Sequence, residues 1–251
     1  MRFTLLGSGA AGGIPRWGCP CSACAAAHRD PAKRRRAASA EVRHAGRTFL
    51  IDAGITDLDE RYPGGVDGFL VTHFHLDHVQ GLFHLRLGIR DPIPVHAPDD
   101  GQDCADLLSH PGCLAFTVAE PFVRIDLGDG LGATPVPLAH TRRVLGWVLD
   151  DGRTRIAYCT DTRGFPPATL RFLADQHLDV LILDTTHPSP CAEPKGHNDL
   201  DLSLDLITRS GTRRGVLTHI SHRLQVVLDA GVNLPDHVVV EEFLPQAAVL
   251  E

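Results

Sequence analysis

Short apolar runs rich in β-formers recur along the chain at Phe3–Leu6, Thr48–Ile51, Gly68–Val71, Ile93–Val95, Phe122–Ile125, Ala133–Pro137, Gly146–Leu149, Ile156–Cys159, Val180–Leu183 and Gly215–Thr218. Runs of this length and composition predict strands. Between and after them the spacing of apolar positions changes. Asp103–Ser109, Pro167–Gln176, Leu200–Ser210 and Arg223–Gly231 carry the three- and four-residue spacing of one-sided helices. Strands in two batches, each with helices attached, predict an α/β fold of the αββα four-layer type, two sheets face to face with helices outside. No repeat of fixed period or low-complexity linker interrupts the pattern, so residues 1–251 are expected to form a single domain.

Composition narrows the function without naming it. A hydrophobic fraction of 43% and a charged fraction of 22% describe a chain able to bury a core. The formal charge of −7 argues against a nucleic-acid partner but leaves room for a local basic pocket that takes a small phosphorylated molecule. Met1–Ala10 lacks the features of a secretory signal and no run approaches a membrane span, so a cytoplasmic protein with no membrane partner is expected. Seven cysteines make an odd count. Cys19, Cys21 and Cys24 cluster as a metal site would rather than as a disulfide framework. Cys104, Cys113, Cys159 and Cys191 are scattered and read as small buried hydrophobes.

One motif is misleading. Gly7-Ser8-Gly9-Ala10-Ala11-Gly12 follows a strand and matches the dinucleotide-binding glycine pattern. That pattern must open a helix whose N-terminus holds a pyrophosphate, and Gly13, Pro15, Gly18 and Pro20 would break such a helix. The segment reads as a turn.

The densest chemistry is Thr72-His73-Phe74-His75-Leu76-Asp77-His78, directly after the run Gly68–Val71. Four metal-capable side chains this close are expected to converge in an irregular loop, and without a metal they would leave costly unpaired polar groups. Imidazole and carboxylate donors suit zinc, manganese or iron, and a pair of ions about 3.5 to 4 Å apart would divide such a set. The segment resembles the HxHxDH signature of the metallo-β-lactamase superfamily, which implies the αββα sandwich of that type. Later strand-end residues complete the resemblance: His140 after Ala133–Leu138, Asp161 after Ile156–Cys159, and His219 after Val216–Thr218. It implies that His73, His75 and His140 hold one ion, Asp77, His78 and His219 the other, and Asp161 bridges them. His75 stands where the oxygen-reducing diiron branch usually carries glutamate, which favours hydrolysis.

Three flanking segments narrow the resemblance: Gly18-Cys19-Pro20-Cys21-Ser22-Ala23-Cys24, Asp77-His78-Val79-Gln80-Gly81-Leu82-Phe83, and Leu217-Thr218-His219-Ile220-Ser221-His222. Together they are similar to the PhnP-like phosphodiesterases. That resemblance implies hydrolysis of 5-phosphoribosyl 1,2-cyclic phosphate to ribose 1,5-bisphosphate during phosphonate breakdown. It also implies two catalytic divalent ions, manganese before zinc, and a homodimer. A structural zinc on Cys19, Cys21 and Cys24 needs a fourth donor, and the family places a histidine at His222. His197, in a polar loop before a helix, takes the place of the family's general acid or base. Spacing alone equally allows it to be a solvated neighbour of a cap at Asn198 or Asp199.

Arg142 and Arg143, just after His140, are candidates for the substrate's phosphate. The run Arg29–Arg36 reads as a solvated charged segment. His28, His44, His84, His96, His110, His177 and His237 show no partner pattern, whereas Asp184 and His187 flank a strand end and could support the metals from behind. Competing readings are an RNA-processing endonuclease, a thioester or lactone hydrolase, and a metal-binding pathway protein without turnover.

Overall fold

The computed structural model describes residues 1–100, 104–192, 195–240 and 248–250. The apolar runs form two sheets of seven strands. The first contains β1 (Arg2–Gly7), β2 (Ser39–His44), β3 (Arg47–Ile51), β4 (Gly68–Leu70), β5 (Ile93–Ala97), β6 (Leu114–Val118) and β14 (Ala248–Leu250), in the order β14-β1-β2-β3-β4-β5-β6. The second contains β7 (Ile125–Gly128), β8 (Leu131–Pro137), β9 (Leu145–Asp150), β10 (Arg155–Cys159), β11 (Val180–Asp184), β12 (Arg214–Thr218) and β13 (Val238–Val240), in the order β13-β12-β11-β10-β9-β8-β7. Each sheet begins with antiparallel hairpins and continues parallel, from β3 to β6 in one and from β10 to β13 in the other.

Alternation along the strands produces three apolar layers, because successive side chains leave opposite faces of a sheet. Phe3, Phe49, Ile51 and Leu70 meet Leu131, Trp147, Leu149, Tyr158 and Ile182 between the sheets. Leu50, Phe69 and Val95, from intervening positions, pack outward on Leu58, Val79, Leu82 and Leu107. These come from α2 (Leu58–Arg61), α3 (Leu76–Leu85) and α4 (Ala105–Ser109). Val148, Ala157, Leu181 and Leu217 face α5 (Pro167–Asp175), α6 (Leu200–Ser210) and α7 (His222–Asp229) through Leu173, Leu206, Ile207 and Leu224. This is the expected αββα sandwich. Two bonds tie the sheets together where the site forms: Leu145 N donates to Thr72 O (2.9 Å), and the buried Trp147 indole donates to Val71 O (3.3 Å). No helix among the described residues is long and apolar enough to cross a membrane.

Several expectations change. The HxHxDH segment is loop only as far as His75, which precedes α3; Asp77 and His78 lie in that helix's first turn. Val79, Leu82 and Phe83 supply a helical spacing that the density of ligands obscured. The cysteine cluster is likewise half helical, since α1 (Ser22–Arg29) begins just after Cys21. Phe122 turns the chain at φ 63° rather than starting a strand, and β7 begins at Ile125. Strands β2, β6, β13 and β14 were not foreseen. β2 offers only Ala40 and Val42 as apolar core positions, β6 is a partly exposed edge, and β13 and β14 are three residues each. Asp103 lies outside the described residues, and the helix expected there starts at Ala105. Within the basic run Arg35 is buried, its guanidinium donating to Gln225 Oε1 (2.8 Å) and Ser8 Oγ (2.7 Å), so that part is not solvated. Cys191 is half-buried, unlike Cys104, Cys113 and Cys159. The glycine motif after β1 opens no helix; Gly13 N closes a turn on Ala10 O (2.7 Å).

Candidate metal centre

The strand ends bring all seven HxHxDH-related candidates together. His73 and His75 follow β4, Asp77 and His78 open α3, His140 lies between β8 and β9, and Asp161 and His219 follow β10 and β12. One donor atom each from His73, His75, His140 and Asp161 falls within 4.8 Å of the others, as does one each from Asp77, His78, Asp161 and His219. Asp161 belongs to both sets through different oxygens. Its Oδ2 is 3.5 Å from His73 Nε2 and 3.7 Å from His140 Nε2. Its Oδ1 is 3.3 Å from both His78 Nε2 and His219 Nε2. His75 Nδ1 lies 2.9 Å from His73 Nε2 and 3.2 Å from His140 Nε2, and Asp77 Oδ2 lies 3.3 Å from His78 Nε2 and 3.6 Å from His219 Nε2.

These separations fit two ions. Ligands about 2.1 Å from a tetrahedral centre stand about 3.4 Å apart, which the donor pairs match. His78 Nε2 and His219 Nε2 are buried with no hydrogen-bond partner among the described residues, which is the condition of nitrogens aimed at a cation. The opposite ring nitrogens are fastened. His78 Nδ1 donates to Asp52 (2.7 Å), His140 Nδ1 to Gly196 O (2.7 Å) and His219 Nδ1 to Thr186 Oγ1 (2.8 Å). Such outer bonds fix the tautomer and turn Nε2 inward. Gly196 has φ 70°, and a Cβ there would stand 2.6 Å from His140 Nδ1, so the close carbonyl contact requires glycine.

Backbone strain aims three of the side chains. Asp52, Asp161 and His219 hold φ of 59°, 62° and 57°, a left-handed conformation uncommon for L residues. Each occurs where a strand ends, and the sharp turn directs the side chain back over the sheet edge; the cost is on the order of 1–3 kcal/mol per residue.

The electrostatics suit a charged guest. Burial would raise Asp161, but His219, His78 and His73 hold it well below the ordinary carboxylate range. Burial would lower His219, but Asp161 foremost, with Asp77 and Asp184, pushes it up to about 9. His73, His75 and His140 are lowered, chiefly by burial, and so are neutral donors.

His197 lies over the pair. Its Nδ1 donates to Asp184 Oδ2 (2.7 Å), and its ring centroid is 4.8 Å from those of both His140 and His219, one from each donor set. Asp184, buried at the end of β11, also accepts from Thr162 N (2.9 Å) and from Thr186 Oγ1 (2.7 Å), so it links His197 to the residue that fastens His219. Asp199 caps α6, its side chain accepting from Leu202 N (3.0 Å), but His197 beside it is largely buried on Asp184 rather than solvated.

Cys19, Cys21, Cys24 and His222 form a second cluster of donors within 4.8 Å. His222 Nδ1 is 3.3 Å from Cys19 Sγ and 3.5 Å from Cys21 Sγ. Burial pushes the Cys24 thiol up to about 12 while a backbone N–H from Cys21 lowers Cys19. Three sulfurs and one imidazole make a closed tetrahedral donor set that fits zinc. The cluster joins the loop after β1 to the start of α7, three residues beyond His219.

The two arginines differ. Arg142 makes paired bonds to Asp100 (both 3.2 Å) and reaches Phe74 O (3.4 Å), clasping the His140 and His73 loops. Arg143 is 71% exposed, 3.5 Å from Asp99. Both line a cavity of about 500 Å³. Sequence reasoning missed Asp52, Thr186 and Gly196. Asp52 alone left a signal, a carboxylate directly after the apolar run Thr48–Ile51 and two residues before Gly54.

Fold and site together define a class. Residues 47–220 match the beta-lactamase superfamily domain family, and the chain belongs to it. Among solved structures it is similar to a diphosphatase of the PhnP family, at 27% identity and a TM-score of 0.81, covering 100% of this chain and 98% of that one. It is 28% identical to an octanoyltransferase of Porphyromonas gingivalis over 256 residues, 95% of this chain and 49% of that protein. It is 37% identical to coenzyme PQQ synthesis protein B of Rhodopseudomonas palustris over 112 residues, 39% of this chain and 36% of that protein. The chain thus spans about half the length of the octanoyltransferase, and its aligned segment covers about a third of the coenzyme PQQ synthesis protein.

Proposed function

We propose that the chain is a dinuclear metal-dependent phosphodiesterase that opens 5-phosphoribosyl 1,2-cyclic phosphate to ribose 1,5-bisphosphate. His73, His75 and His140 would hold one ion, Asp77, His78 and His219 the other, with Asp161 between them; manganese is the first choice and zinc fits the same donors. When bound, the ions supply Lewis-acid chemistry, acidifying water and neutralising phosphoryl charge. The chain's own residues supply the rest. The observation that carries the reading is the Asp184-held His197 over both donor sets. An alkoxide is a poor leaving group, and a fixed imidazole that delivers a proton to it from Nε2 accelerates departure about 10²- to 10⁴-fold. Arg143, exposed three residues after His140, would meet the sugar's terminal phosphate, while Arg142 holds the loops. The similarity to a PhnP-family diphosphatase favours a second reading, cleavage of a phosphoanhydride. A phosphate leaves more readily than an alkoxide and has less need of His197.

Phosphorus NMR of the manganese-loaded protein with the cyclic phosphate, beside a diphosphate ester, separates the readings. We expect the cyclic phosphate to open, and His197→Ala to slow it at least a hundredfold. Turnover of the diphosphate alone, little affected by His197→Ala, would establish the second reading instead.

A further inference from the structure

His187 takes no part in the chemistry above, yet the fold holds it beside His197. Its backbone N donates to Asn198 O (3.1 Å), its O accepts from Leu200 N (3.0 Å), and it forms a bridge with Asp199. Those bonds stitch residue 187 to the segment that carries His197, so the two imidazoles keep one spacing, 6.1 Å between ring centroids at 74°. His187 Nε2 is buried with no hydrogen-bond partner among the described residues. Buried polar atoms are rarely left so, and one beside a group that meets substrate calls for a partner from outside the chain.

We infer that His187 is a substrate-contacting residue whose Nε2 shares a hydrogen bond with a hydroxyl next to the leaving oxygen that His197 protonates, selecting polyhydroxylated leaving groups over simple aryl or alkyl ones. The inference rests on the phosphodiesterase reading for the role of His197. Burial, foremost, lowers the His187 imidazole and keeps it neutral. A neutral ring suits a hydroxyl, which donates or accepts according to the tautomer, better than it suits a phosphate.

The test is calorimetric binding of ribose 1,5-bisphosphate and of phenyl phosphate to the metal-loaded protein and its His187→Phe and His187→Gln variants. Loss of one such bond should weaken the bisphosphate roughly five- to tenfold in His187→Phe, with phenyl phosphate changed less than twofold and glutamine restoring most of the loss. Equal weakening of both ligands, no weakening of either, or no bisphosphate binding by the wild type would overturn it. Should His187→Phe melt early, His187→Leu carries the comparison, with a selective loss for the bisphosphate supporting the contact and an equal change in both ligands, or none, refuting it. The cyclic-phosphate NMR assay stands apart: its failure removes the proposed reaction while a selective bisphosphate effect still places His187 at the ligand.

Discussion

At the scale of single residues the metal donors are ordinary side chains held in unusual ways. Asp184 fixes His197 and, through Thr186, the ring of His219. Removing one such supporting bond usually costs 10- to 100-fold in activity or metal affinity. Asp184→Asn should therefore lower kcat for the cyclic phosphate by roughly that factor at saturating metal, and steady-state kinetics with an unchanged kcat would refute the role. The donors were legible in sequence because each carries its chemistry in its own side chain. Thr186 and Gly196 were not, since a hydroxyl or a glycine acquires meaning only when another strand end delivers a histidine against it.

Among the elements, helices were harder to foresee than strands at the site. α1 and α3 both begin inside ligand motifs, and the metal-binding residues disguised the apolar spacing that builds the helices. The cluster of Cys19, Cys21, Cys24 and His222 reaches two helices, α1 and α7, so a zinc there is expected to hold the N-terminal loop in place. Cys21→Ser should lose one zinc per chain by elemental analysis and melt at lower temperature; unchanged zinc content would remove the site. α2 gives a pH test. Burial would raise Asp57, which precedes this helix, but bonds from Arg61 and Arg36 hold it down at about 2. A carboxylate lowered on folding stabilises above its unfolded value of about 4 and loses that contribution as the pH falls toward 2. Urea midpoints of Asp57→Asn and the wild type should therefore differ at neutral pH and converge near pH 2; a constant gap would show that the pairs are not the cause.

For the whole molecule, the two-sheet sandwich was readable because strands buried on both faces leave continuous apolar runs, and it needed no knowledge of the ligands. What the pattern could not show is that the donors are divided between sheets: His73, His75, Asp77 and His78 come from the first, His140, Asp161 and His219 from the second. Metal that binds only the docked arrangement stabilises it by about 4 kcal/mol when present at a thousand times its dissociation constant. Chelation should lower the melting temperature by several degrees and readdition of manganese or zinc should restore it; a melt indifferent to metal would mean that the site is not shared across the sandwich.

That division also sets a timetable during synthesis. A ribosome makes the four donors of the first sheet before those of the second and delivers His219 and His222 last among the donors. An emerging chain would thus offer the donors of the first ion once Asp161 is made, while the second ion's set and the Cys19–Cys24 cluster would close within the span of the same few codons. Metal uptake at the second ion and at the Cys19–Cys24 cluster would then wait for this late segment, and a product truncated before His219 would hold the donors of the first ion alone.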